Sequence, residues 1–150
     1  RKSSLPKEQE YNKKAVYIYN FAKNIYWPAT YNGIEFVIGI TGDETILKEL
    51  QKVLSDKKVG GKTVIVKEFV KGIKYNMVYI DSEHSSEFNW IKEYLKKNKT
   101  VLITDEPNLS AFGAHISFIV DKDKIRFNIN KLAIEKSGMK VSEELMRFAE

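Results

Sequence analysis

The 150 residues suffice for one ordinary domain, and 43% hydrophobic with 30% charged content marks a folded chain and excludes a disordered one. The absence of cysteine removes disulfides, zinc ribbons, iron–sulfur centres and thiol catalysis together. A net charge of +5 permits acidic partners, but the basic residues are spread along the whole chain and only Arg1, Arg126 and Arg147 are arginines, so the lysines read as a solvating surface.

No apolar run is long enough to span a membrane. The chain opens at Arg1, without Met, in the polar stretch RKSSLPKEQE, which reads as a processed or trimmed start. Residues 1–6 are expected to be a flexible leader and residues 7–150 a single domain. Pro6 suits a first helical position, where a missing N–H costs nothing. From Lys7 to Trp27 the residues Tyr11, Ala15, Tyr19, Ala22 and Tyr26 recur at three- and four-residue steps, which predicts an amphipathic helix closed by Pro28.

EFVIGIT (Glu35 to Thr41) reads as a buried strand, and Ile46, Leu47, Leu50 and Leu54 give a helix from Glu44. Gly60–Gly61 marks a turn into a second strand, Lys62 to Phe69; Asn76 to Asp81 is a third and Thr100 to Thr104 a fourth, with a helix carrying Phe88, Ile91 and Leu95 between them. This alternation predicts parallel βαβ units. His115 to Val120 and Lys124 to Asn130 flank Asp121–Lys122–Asp123 and predict an antiparallel hairpin. Asn130 then caps a short helix, Lys131 to Lys136, and Ser142 caps a last one whose first turn holds Glu143 and Glu144. The expected fold is a single α/β domain: a mixed, mostly parallel sheet of about six strands, helices on both faces and a C-terminal hairpin.

In such sheets ligands sit beyond the carboxyl ends of the strands. Three such ends are polar here, and Thr41, Asp43, Asp81, Ser82, Thr104 and Asp105 are the candidate ligand-binding residues. The same residues have structural readings: Asp43, Ser82 and Ser85 as helix caps, and Asp105 before a turn at Pro107. The aromatic residues Tyr17, Tyr19, Phe21, Tyr26, Trp27 and Tyr31 crowd the first helix and its exit. Tyr17 and Phe21 stand four apart, off the Tyr11–Ala15–Ala22 stripe; with Tyr26 and Trp27 they are the candidate partner interface, helix packing being the other reading.

No catalytic frame is present. The two histidines, His84 and His115, match no metal-ligand spacing, there is no G-x-S-x-G elbow beside Ser82, His84 and Ser85, and Gly60–Gly61–Lys62 is not a P-loop. No cofactor, metal or enzymatic activity is therefore expected. Nucleic acid is not expected either: no RNP-type motif occurs, and the aromatic cluster lies on a helix and not on a sheet face.

KAVYIYNFAKNIYWP (Lys14 to Pro28), FVIGITGD (Phe36 to Asp43), GGKTVIV (Gly60 to Val66), LITDEPNLSAFGAHISFIV (Leu102 to Val120) and IRFNINKLAIEKSGMKVSEELMRFA (Ile125 to Ala149) together resemble the YfiR-like family, in the family's order. His115 stands where an apolar residue is more usual, and the cysteines of some members are absent. The resemblance implies a non-enzymatic periplasmic regulator or sensor, its signal peptide removed. The best-known member represses an inner-membrane diguanylate cyclase by binding its outer part. The implied partner is thus a membrane-bound signalling protein; a small polar ligand is the alternative, and a homodimer is left open.

Overall fold

The computed structural model describes residues 3–28 and 33–150. Tyr31 of the aromatic group lies outside the described residues, as do Arg1 and Lys2 of the leader. In chain order the elements are α1 (Lys7–Lys23), β1 (Ile25–Tyr26), β2 (Glu35–Ile40), α2 (Glu44–Leu54), β3 (Lys58–Val59), β4 (Lys62–Glu68) and β5 (Met77–Ile80). A 3-10 segment, Ser82–Glu87, leads into α3 (Phe88–Tyr94), followed by β6 (Val101–Thr104) and a second 3-10 segment, Pro107–Phe112. Then come β7 (Ile116–Asp121), β8 (Lys124–Ile129), α4 (Lys131–Lys136), β9 (Lys140–Val141) and α5 (Glu143–Met146).

The main sheet has seven strands in the order β3-β4-β2-β5-β6-β7-β8. The four central pairings are parallel, while β3–β4 and β7–β8 are antiparallel. The mostly parallel sheet and the hairpin agree with the sequence expectation; the seventh strand is the two-residue β3, formed as the Gly60–Gly61 turn folds Lys58 and Val59 back onto β4. Both glycines have positive φ, a conformation other residues adopt only at a cost.

Residue alternation decides which face each side chain takes. Phe36, Ile38 and Ile40 of β2, Met77 and Tyr79 of β5, Ile103 of β6 and Phe118 of β7 point to one face, where α1 and α2 cover them. Val37, Val78, Ile80 and Leu102 point to the other, under α3. Buried on both faces, β5 and β6 are apolar almost throughout.

Gly39 sits where these layers leave no room. A Cβ there would meet the Tyr75 ring at 2.6 Å, and Tyr75 is fully buried, its hydroxyl donating to the Glu68 carbonyl at 2.9 Å. Gly39→Ala is expected to cost about 1–3 kcal/mol through overpacking; an unchanged denaturant midpoint would show that the ring can yield.

The first helix is shorter than its periodicity predicts. It stops at Lys23, and Ile25–Tyr26 instead pairs antiparallel with Lys140–Val141. The cause is Asn24. Its side chain donates to the Asn20 carbonyl (2.8 Å), its own carbonyl accepts from Ser142 N–H (2.8 Å), and its Oδ1 accepts from the Ser142 hydroxyl (2.9 Å). The helix end is thus fixed from the far end of the chain, while Pro28 acts only after the helix is over. At the other end, Ser4 N–H donates to the Lys122 carbonyl at 2.9 Å.

Candidate functional site

The strand order reverses between β2 and β5, and a ligand crevice is expected at this switch point. Here side chains bridge it. Thr41, one residue past β2, donates its hydroxyl to Asp81 Oδ1 past β5 at 2.8 Å, and His84 Nδ1 lies 2.7 Å from the same oxygen.

Beside this pair lies a larger buried cluster. Asp105, one residue past β6, holds the Lys14 ammonium of α1 at 2.7 Å, and Lys14 is held again by Glu10 at 2.6 Å. The side chains of Lys14 and Asp105 are 0% exposed and that of Glu10 only 3%. The Asp105 carboxylate also accepts from the Tyr79 hydroxyl (2.5 Å), the Ser82 N–H (3.0 Å) and the Tyr11 hydroxyl (3.3 Å). Burial and the neighbouring Asp105 charge push the Tyr79 phenol well above its ordinary value, so it stays a neutral donor. Buried charges persist only when paired and hydrogen-bonded in this way.

Of the six candidate ligand residues, four come together and two do not. Asp81, Ser82 and Asp105 form one connected group with Thr41. Thr104 turns away to Ser117 (3.2 Å) and the Glu106 carbonyl (3.3 Å). Asp43 caps α2, accepting from Ile46 N–H at 3.0 Å, and forms an exposed ion pair with Lys7. The Lys7–Asp43 hydrogen bond holds the Asp43 carboxyl below the usual carboxylate range and the Lys7 ammonium above its usual value. Asp105 borders a pocket of about 460 Å³ together with Glu106, Asp121 and Arg126, but its carboxylate faces inward. No cluster of three acidic, histidine or cysteine side chains suited to a metal occurs among the described residues.

Glu10, Lys14, Tyr11 and Tyr79 escaped the sequence reading as site residues. One signal was available: Lys14 lies inside the apolar stripe, three residues after Tyr11 and four before Ile18, with Glu10 one turn earlier. A lysine on a buried face requires a buried partner.

The aromatic residues separate. Phe21 is fully buried, packed on Phe118 and Phe127 with centroids at 5.7 and 4.9 Å, and so presents no surface to a partner. For Phe21 this corrects the candidate partner interface in favour of the other reading, helix packing. The helix lies along the β7–β8 hairpin, whose phenylalanines reach the residues beside the Tyr11–Ala15–Ala22 stripe. Tyr17 is half-buried on the same rings, its hydroxyl donating to the Ile125 carbonyl at 2.9 Å. Tyr26 is 67% exposed, and Trp27 is half-buried against Phe36 at 4.9 Å.

These features define an α/β domain whose strand-end groups are bonded mainly to one another. The profile of the YfiR/HmsC-like family matches residues 11–150, nearly the whole chain, and the protein belongs to that family. The family is regulatory, known from periplasmic control of diguanylate cyclases, and is not a catalytic one. No curated protein matches the chain. No helix among the described residues is long and apolar enough to cross a membrane.

Proposed function

We propose that this chain is a non-enzymatic periplasmic regulator that binds the outer domain of a membrane signalling protein, such as a diguanylate cyclase. The observation that carries this reading is the family match over residues 11–150. Lys14 and Tyr11 of α1 are bonded to Asp105, as is Tyr79 of β5, so this cluster ties the helix to the sheet. The purified chain used as bait on solubilised membranes of its source is expected to retain a membrane protein with a signalling output domain and to change that protein's activity. Retention of no such protein overturns the reading.

A second reading, sensing of a small polar ligand, is favoured by Asp81, whose Oδ2 is buried with no hydrogen-bond partner. A carboxylate oxygen in that state costs free energy that a donor group would recover. Ligand-dependent thermal stabilisation across a panel of amino acids and nucleotides, lost in Asp81→Ala, is the expected result. A shift that survives in Asp81→Ala places the ligand elsewhere.

A further inference from the structure

The early end of α1 produces a feature that a longer helix would not have. A helix running on to Trp27 would carry Tyr26 along the same stripe as Tyr19 and Ala22. The two-residue strand β1 instead alternates, burying Ile25 and turning Tyr26 outward. Tyr26, Trp27 and Pro28 then line a groove of about 620 Å³ together with Lys58, Val59 and Lys62 at the β3–β4 turn.

Two properties of the groove point to one kind of occupant. Its apolar surface combines exposed Tyr26 with half-buried Trp27, the residue types that anchor protein interfaces. Its charged lining is all basic: Lys23, Lys58 and Lys62, with no acidic side chain among the described lining residues. A helix C-terminus ordinarily disfavours an anion. Here the last carbonyls are already engaged: Ala22 O accepts from the Trp27 indole N–H (2.8 Å), Phe21 O from Asn24 N–H (3.1 Å) and Asn20 O from the Asn24 amide (2.8 Å).

We propose that this groove receives an acidic peptide segment of the partner protein, an apolar side chain seated against Trp27 and Val59 and flanking carboxylates on Lys23 and Lys58. The inference rests on the partner-binding reading and locates its surface. The lining lysines would speed encounter and set orientation, and the aromatic lining would supply most of the affinity.

The test uses the full chain, 15N-labelled, titrated with a short end-blocked peptide in which phenylalanine and leucine are flanked on both sides by aspartate and glutamate. Amide shifts are expected to cluster at Lys23, Tyr26, Trp27 and Val59. The double reversal Lys23→Glu with Lys58→Glu is expected to weaken binding about tenfold. Lys96→Glu with Lys97→Glu makes the same change in net charge on exposed residues elsewhere and is expected to leave affinity within about twofold. Shifts scattered over many lysines, equal weakening by both pairs, or tighter groove binding by an oligothymidylate than by the peptide would each overturn the proposal. The titration needs no membrane partner, so it stands or falls separately from the capture experiment. Capture that persists undiminished in the Lys23→Glu, Lys58→Glu variant overturns the groove and leaves the regulator reading intact.

Discussion

Lys14→Met is expected to lower stability by about 3–5 kcal/mol, the range for removing one partner of a buried ion pair. Methionine fills the space of the lysine stem, so little of the loss comes from a cavity. What remains is the cost of Glu10 and Asp105, two carboxylates buried together without their shared cation. For a domain of this size the melting temperature should fall by roughly 10 °C. Neutralising both acids alongside the lysine, as Lys14→Met with Glu10→Gln and Asp105→Asn, should recover part of that loss, because no uncompensated charge is left. Urea unfolding of the single and triple variants reads the difference. A single variant within about 1 kcal/mol of wild type would mean that water reaches the cluster and solvates it.

The second large effect is in acid. His115 is buried between β6, β7 and α4; its Nδ1 accepts from Leu102 N–H at 2.9 Å, and its Nε2 lies 2.8 Å from the Ser137 hydroxyl. This fixes a neutral ring with the proton on Nε2, and burial lowers its pKa from 6.5 to about 4. The unfolded chain takes up the proton below pH 6.5, while the folded chain resists until about pH 4. The contribution of His115 to stability is therefore complete above pH 6.5 and lost progressively as the pH falls towards 4, a total of roughly 3 kcal/mol. His115→Asn keeps an acceptor near the Leu102 N–H and cannot titrate. Its unfolding free energy should be lower at pH 7 but flatter between pH 7 and 4 than that of wild type. Parallel curves for the two proteins would assign the acid sensitivity to other groups.

Much of the fold was legible because local signals and tertiary structure agree. Asp43, Asn130 and Ser142 accept from the N–H groups of Ile46, Ala133 and Leu145, as their positions before helical patterns predict. The apolar runs of β2, β5 and β6 gave a parallel sheet because strands covered on both faces need no polar alternation. Three features were not legible, each because a distant residue decides it. The end of α1 depends on Ser142 reaching Asn24. The burial of Phe21 depends on Phe118 and Phe127 of the hairpin. The arrangement of the strand-end candidates depends on Lys14, which comes from a helix packed above the sheet and holds Asp105.

The placement of α1 also bears on how the chain reaches its native state. Tyr11 and Lys14 lie near the start of the chain, yet their partner Asp105 follows 94 and 91 residues later, and Phe21 waits still longer for the hairpin. During synthesis the helix emerges before Asp105 and the hairpin, its aromatic and aliphatic face uncovered, and the surface that covers it does not exist until those residues have appeared. Contacts so distant in sequence make for slow folding. Until the hairpin forms, the apolar face of α1 is the surface most open to mispairing.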